Sequence, residues 1–166
     1  SSGNTGIGTT NPTSKLTVSG GVNVTGVVTA TSFSGSNTLK SRVVVSGVTT
    51  SIGIGSTANV NIDGYKTYSL LKVGITSAAW VVLYTDATSR TNDAGRSYLT
   101  DPTPGSGVIA EVRTTNVGVS TFIMSPGIIG WNNDVSVGST IYARVTNNDT
   151  SAGSITVNLT VVKLED

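Results

Sequence analysis

Alternation between apolar and polar residues is the feature that most restricts how this chain can fold. It is clearest in SITVNLTVVKLE (residues 154–165), where the apolar positions include Ile155, Val157, Leu159 and Val161. A two-residue period places such a set on one face of a β-strand, with the polar set opposite. No segment of useful length shows the 3.6-residue period of an amphipathic helix. The sequence therefore predicts an all-β fold whose strands are half buried.

The composition favours an ordered β protein with an aliphatic core. Charged residues make up 11% of the chain and aromatic residues 5%, whereas charged residues make up about a quarter of an average globular protein. The chain is rich in Val, Ile and Thr, which strands favour and disordered chains lack. We therefore expect a core of Val, Ile and Leu.

The absence of Cys and His from the chain argues against several kinds of chemistry. Without Cys there is no disulfide framework and no thiolate. Without His the commonest general base and the commonest metal ligand are both missing. We therefore predict that the protein is not an enzyme and that it uses neither a metal ion nor another cofactor.

Charge and hydropathy limit the kinds of partner. The formal net charge is +1, from 10 basic and 9 acidic residues. No basic run is interleaved with aromatic residues, so we expect no nucleic-acid partner. No stretch approaches the roughly 20 apolar residues of a transmembrane helix, so we expect no membrane insertion. The single methionine is Met124, which indicates that the chain is processed or is a piece of a longer protein.

The residue composition and the length of the apolar runs change twice along the chain, which predicts three regions. Residues 1–35 form a Gly-, Thr- and Val-rich tract with few large side chains. Residues 36–64 are predicted to be connecting strands or a second, degenerate copy of that tract, because GIGTT and TVSG are echoed later by GIGST and VVSG. Chance in a biased composition is the alternative. Residues 65–166 contain longer apolar runs separated by turn residues, typical of a jelly-roll-like β-sandwich head domain, to which residues 41–62 are able to add strands.

Six strands are predicted in the head domain, with one long loop among them. The strands are residues 68–75, 79–86, 107–115, 120–126, 139–147 and 154–165. Pro126 and Gly127 are predicted to end the fourth. The segment DATSRTNDAGRSYLTDPTPGSG (residues 86–107) is predicted to be the loop, and long loops on a β-scaffold are frequent binding surfaces.

The 86–107 loop concentrates charged and aromatic side chains, and we predict that it binds a receptor. The candidates on it are Asp86, Arg90, Asp93, Arg96, Tyr98 and Asp101. Arginine binds anionic sugars or phosphate through paired hydrogen bonds, and a tyrosine ring is able to lie against a sugar. The alternative is that these charges pair with one another and hold the loop in shape.

GWNND (residues 130–134) adds the candidates Trp131, Asn132 and Asn133, a composition common in sugar sites. The alternative is a turn in which the Asn side chains cap their own backbone. A calcium site made by the aspartates of the 86–107 loop lacks the dense spacing of a dedicated calcium loop. A glycosidase pair of Asp86 and Glu111 is disfavoured because Glu111 lies mid-strand beside Arg113.

Two motifs in GIGTTNPTSKLTVSGGVNVTGVVTATSFSG (residues 6–35) carry a resemblance to a known family. G-I-G-T-T-x-P-x-x-K-L-x-V-x-G occupies residues 6–20, and V-x-G-x-x-T-A-T-x-F occupies residues 24–33. Both resemble the repeated tracts of tail-fibre and other virion structural proteins of marine cyanophages. Residues 70–112 also resemble a terminal domain of such proteins. The resemblance implies a homotrimeric fibre and a virion or extracellular location.

The composition of the tract agrees with self-association. Its apolar face is narrow, and a lone hairpin is barely stable in water. Glycine at the turns lets neighbouring chains approach closely. Three copies wound around an axis would bury one another's apolar side chains, and the interface candidates are Leu16, Val18, Val22, Val24 and Phe33.

The tract and the head together predict a phage virion structural protein. We expect the distal part of a homotrimeric tail fibre that contributes to host attachment. Its expected partners are copies of itself, other virion proteins, and a host surface glycan or protein. The alternative is a non-adhesive assembly protein, such as a capsid decoration, a neck fibre or a subunit of a self-polymerising extracellular filament.

Overall fold

A computed structural model of the chain describes residues 3–11, 13–27, 29 and 41–165, and these ranges contain ten strands and one short helix. The chain divides into two compact units, Ser1–Thr38 and Leu39–Asp166, which are described separately. Strand is the dominant secondary structure, which confirms the all-β prediction.

The first unit contains a parallel pair of short strands. β1 (Thr5–Ile7) and β2 (Leu16–Val18) pair so that each residue of β1 faces the residue eleven positions later in the chain. Gly8, which follows β1, has a φ of +73°, and a Cβ at this position would lie 2.8 Å from the carbonyl oxygen of Ser19. Only glycine fits both the positive φ and this close approach, so Gly8 makes the turn after β1 possible.

Several predicted interface residues of the first unit are exposed. Leu16 is 60% exposed, Val22 68% and Val24 48%, whereas Val18 is half buried. The register places Ile7 beside Val18, and Ile7 is 56% exposed. The β1–β2 pair therefore has one apolar face, which carries Ile7, Leu16 and Val18. Phe33, the fifth predicted interface residue, lies outside the described residues.

Two four-stranded antiparallel sheets make up the second unit. The first sheet contains, in spatial order, β3 (Val43–Val48), β10 (Thr156–Glu165), β5 (Thr67–Ile75) and β8 (Ser120–Trp131). The second sheet contains, in spatial order, β4 (Thr57–Asp63), β9 (Thr140–Asn147), β6 (Ala79–Tyr84) and β7 (Val108–Arg113). Every pairing within these two sheets is antiparallel.

An aliphatic core joins the two sheets in a sandwich-like arrangement. The predicted alternation at the end of the chain is confirmed, because the buried set, none more than 1% exposed, is Ile155, Val157, Leu159 and Val161. The polar residues between them are half buried. Ile62 and Ile141 of the second sheet belong to the same core cluster. Burial of each such side chain stabilises the fold by about 1.5–3 kcal/mol.

The sheets extend over residues 43–165 rather than over residues 65–166 alone. β3 forms an edge of the first sheet and β4 an edge of the second, so residues 41–63 belong to the sandwich. The sequence left this contribution open because the Val-Val-Val-Ser-Gly-Val run of β3 alternates only weakly between apolar and polar residues.

The structure departs from the predicted strands and loop chiefly at two points, and β6 and β7 are each shorter than predicted. A short helix, α1 (Ala87–Asn92), lies in the segment predicted to be a loop. β8 continues through Pro126 and Gly127 instead of ending there. Because β8 is an edge strand, the missing N–H of proline need not cost a ladder hydrogen bond.

Candidate functional site

The segment of residues 86–107 packs against the outer face of the second sheet. All six residues of β6 are buried, although only alternate residues can face the sandwich core. Trp80, Val82 and Tyr84 form a separate cluster on the opposite face. α1 contacts β6 and β9. The segment therefore adds a third layer. Three of its charged residues, Asp86, Arg90 and Asp93, are buried.

Asp86 caps the N-terminus of α1. Its carboxylate accepts hydrogen bonds from the backbone N–H of Ser89 at 2.7 Å and from the hydroxyls of Ser89 and Thr85, both at 2.8 Å. Burial disfavours the charged carboxylate, but these hydrogen bonds outweigh that effect and lower the pKa of Asp86. This cap explains why a helix forms where residue types alone indicated a loop.

Arg90 fastens α1 to the second sheet. Its Nη1 donates to the carbonyl oxygens of Val60 at 3.1 Å and Ala143 at 3.2 Å, and to Asn61 Oδ1 at 2.8 Å. The guanidinium lies 5.0 Å from the centroid of the Tyr142 ring. Burial lowers the pKa of Arg90. Because Arg90 is buried, its contacts are with the chain itself.

Asp93 is the centre of a buried polar network. Its carboxylate accepts hydrogen bonds from Tyr84 Oη and Arg96 Nε, both at 2.8 Å. Arg144 Nη1 donates to the Asp93 carbonyl oxygen, and Arg144 Nη2 lies 3.7 Å from Asp93 Oδ2. Burial disfavours the charged carboxylate, but the hydrogen bonds and the positive charges of both arginines outweigh it and lower the pKa of Asp93.

Arg96 continues this network to β7. Its Nη2 donates to Glu111 Oε2 at 2.9 Å, and its Nη1 donates to the Thr100 carbonyl oxygen at 2.9 Å. Glu111 also accepts from Trp80 Nε1 at 3.2 Å. Although burial opposes the change, the hydrogen bonds and negative charges of Asp93 and Glu111 raise the pKa of Arg96. Local pairing, the alternative left open by the sequence, therefore describes the charged groups of Arg96 and Asp93.

The remaining candidates of the 86–107 segment are exposed. Tyr98 is 47% exposed, with the guanidinium of Arg113 3.9 Å from its ring centroid. Asp101 is also exposed. The structure thus separates the six candidates into buried or paired groups that shape the segment and two residues that reach solvent.

Asn132 shapes the loop after β8 by capping backbone groups. Its Oδ1 accepts from the backbone N–H groups of Asp134 at 3.0 Å and Gly138 at 3.2 Å. Its Nδ2 donates to the Thr140 carbonyl oxygen at 3.0 Å. Asn132 is 4% exposed, so the turn interpretation of this residue describes its contacts, while its neighbour Trp131 remains 47% exposed.

A surface cleft brings two of the predicted segments together. Trp131 and Asn133 line it with Thr85 and residues 102–108, and its volume is about 480 Å³. Gly107 has a φ of +76°, and a Cβ there would lie 2.2 Å from Ser89 Oγ. Glycine is therefore required where the segment rejoins the sheet. Sequence reasoning singled out the charged first half of the segment and did not identify residues 102–108 as one wall of the cleft. The feature of the sequence that could have indicated this wall is the dense Pro and Gly content of residues 102–107.

A second pocket lies near the other end of β6. Its volume is about 300 Å³, and its wall includes Trp80, Arg96, Tyr98, Arg144, Thr146 and Asn148. Sequence reasoning did not identify Arg144. The available signal was an arginine in the middle of a strand, at a position where the alternation points away from the sandwich core.

Among the described residues, no group of three or more Asp and Glu side chains lies close enough together to hold a metal ion. In the same part of the chain, no helix has the length and apolar character needed to cross a membrane. Neither a scan against models of protein families nor a search of curated proteins finds a match to this chain.

Proposed function

We propose that the protein is the distal part of a homotrimeric phage tail fibre whose head contacts the host surface through the cleft at Trp131. The observation that carries this proposal is the cleft itself, which joins a half-exposed tryptophan to the Pro- and Gly-rich wall of residues 102–108. An exposed aromatic ring beside amide and hydroxyl groups is suited to binding a sugar, because the ring supplies apolar contact and the polar groups fix orientation.

The first unit supports the fibre part of the proposal. Ile7, Leu16, Val22 and Val24 leave between 48% and 68% of their surface exposed, so the unit has apolar surface for copies of itself to cover. A trimer would present three clefts on one particle. Individually weak sugar contacts then combine into useful avidity.

A non-adhesive assembly role is the second candidate, and one observation favours it. The outer face of the first sheet carries Val44, Val48, Ile123 and Ile129, which are between 50% and 71% exposed. These residues lie on the two edge strands, β3 and β8. Exposed apolar groups on sheet edges are typical of surfaces that pair with another protein.

Substitution of the tryptophan in the cleft tests the adhesive role. Trp131→Ala should abolish attachment of the purified protein to a panel of marine cyanobacterial strains, because the cleft loses its aromatic surface. The melting temperature should stay near that of the parent, since Trp131 lies outside the core. Leu99→Ala removes another exposed apolar side chain, 81% exposed, and should leave attachment unchanged.

Binding to labelled cells, measured by fluorescence, distinguishes the two candidates. Attachment that is equal in the parent and in Trp131→Ala would remove the cleft from the proposal. A parent protein that attaches to none of the strains would favour the assembly role instead.

A further inference from the structure

The pocket beside Trp80 holds an arginine with unused hydrogen-bonding capacity. Arg144 is 3% exposed, and its Nε and Nη2 have no hydrogen-bond acceptor. Its Nη1 donates a hydrogen bond to the Asp93 carbonyl oxygen. Its Nη2 lies 3.7 Å from Asp93 Oδ2, beyond hydrogen-bond distance. Buried donors of a charged group are costly to leave unpaired. The free edge of the guanidinium therefore suits an acceptor supplied from the pocket.

The charge around this pocket favours an anion. Three guanidinium groups contact its two aromatic rings: those of Arg96 and Arg144 lie 5.0 and 5.1 Å from the Trp80 centroid, and that of Arg113 lies 3.9 Å from the Tyr98 centroid. Arg96 and Arg144 belong to a network with two carboxylates, from Asp93 and Glu111, whereas Arg113 lies outside that network. The charges of that network balance, so the exposed guanidinium of Arg113 adds a positive charge beside Tyr98, which lines the pocket. That charge favours an anion over a neutral ligand.

The remaining wall suits a sugar ring. Tyr98 offers a half-exposed aromatic side chain, and the rings of Tyr98 and Trp80 meet edge to face at 6.3 Å. Thr146 and Asn148 supply a hydroxyl and an amide on the same wall. A volume of about 300 Å³ lies at the small end of the range for ligand pockets. These features together match one monosaccharide unit better than a long chain.

We infer that this pocket binds an acidic sugar, with the sugar carboxylate on the Nε–Nη2 edge of Arg144. A carboxylate fits that edge with two parallel hydrogen bonds. Because Nε and Nη2 are buried, side chains of the pocket wall must shift to admit the carboxylate. Tyr98, which lines the same pocket, supplies an aromatic surface for the sugar ring. This site is separate from the cleft at Trp131, and the inference does not rest on host attachment.

The two tryptophans of the chain make the site measurable. The chain contains two Trp residues, Trp80 in this pocket and Trp131 in the cleft. In Trp131→Phe, tryptophan emission therefore reports on the pocket alone. Titration of this variant with glucuronate should give a saturable change in emission. Glucose, which lacks the carboxylate, and acetate, which lacks the ring, should give none at the same concentrations.

Two further substitutions, each made in Trp131→Phe, identify the residues involved. Arg144→Gln should weaken glucuronate binding by roughly tenfold or more, the loss expected for charge-assisted hydrogen bonds. Tyr98→Ala should weaken it by removing the aromatic cover, and Leu99→Ala, at the next position, should not. If Arg144→Gln fails to fold, Tyr98→Ala and the comparison of the three ligands decide.

Three results would overturn the inference. They are the absence of a saturable signal with glucuronate, equal binding of glucose or acetate, and unchanged binding by a folded Arg144→Gln or Tyr98→Ala variant. None of these results depends on attachment to cells, so failure of this site and failure of the proposed function are distinguishable.

Discussion

At the scale of single residues, charge in the head is used mainly to fasten one segment to the sheet. Asp86 caps α1, Arg90 reaches backbone carbonyls of β4 and β9, and Asp93 joins two arginines to a tyrosine. Each of these three residues is buried. In a chain with so few charged residues, this concentration means that segment 86–107 is held by polar contacts that are sensitive to protonation.

Asp93→Asn should reduce the stability of the head and change its response to acid. Removing the charge leaves Arg96 and Arg144 without their buried carboxylate, a loss of about 3 kcal/mol. The pKa of Asp93 is lowered in the folded state, so its stabilisation is complete above the unfolded value of about 3.9 and is lost as the pH falls through the folded value.

Thermal melts between pH 7 and pH 2 measure both effects of this substitution. The melting temperature of the parent should fall below about pH 4, and that of Asp93→Asn should fall less steeply from a lower starting value. Asp101→Asn, at an exposed position, is the control and should match the parent. Identical acid profiles for the parent and Asp93→Asn would refute the central role of this carboxylate.

At the scale of elements, β10 is the strand on which the first sheet depends, because it lies between β3 and β5. Leu159→Ala should cost about 2–5 kcal/mol, from lost transfer energy and the cavity that remains. Val44→Ala, on the neighbouring edge strand and 62% exposed, should cost less than about 0.5 kcal/mol. Urea denaturation provides the free energy of unfolding for each variant, and similar values for the two would contradict the assigned inward face of β10.

Regular strands were easier to predict from the sequence than the two departures from them, which are helix α1 and the continuation of β8 past Pro126. The alternation along β10 is strict from Thr156 to Val161, so the inward face of that part was predictable residue by residue. α1 was not predictable in that way, because six residues are too few to show a helical period and the helix depends on the Asp86 cap and on packing of Arg90 against the sheet. The continuation of β8 past Pro126 depends on its edge position, which only the sheet order reveals.

The candidate site was predictable only in part, for a related reason. Trp131 and Asn133 were chosen by residue type, and both line the cleft. Residue type also pointed to Asp86, Arg90 and Asp93, which are buried. Residue type indicates what a side chain is able to bind. The direction in which that side chain points is set by contacts between distant segments, such as the contact of Arg90 with Val60.

At the scale of the whole molecule, the proposed trimer predicts the mass of the assembly. It also predicts that the first unit holds the three chains together. Sedimentation equilibrium should give three times the chain mass of 16.8 kDa. Leu16→Asp combined with Val22→Asp should give monomers with a folded head, because charges would then occupy the apolar surface of the first unit. Val135→Asp, at a fully exposed position of the head, adds the same charge and should remain trimeric. A monomeric parent would contradict the proposal.

The central place of β10 in the first sheet also has a consequence for how the protein is made on the ribosome. Among the strands of the described residues, β3 pairs only with β10. The side chains of Ser46 and Asn158, 112 positions apart, meet across that pairing at 2.7 Å. During synthesis, β3 therefore emerges long before its partner exists. A nascent chain interrupted before residue 156 keeps β3 unpaired and one side of the core uncovered. We therefore expect the first sheet to form only after β10 has been synthesised, because this non-local pairing requires both strands.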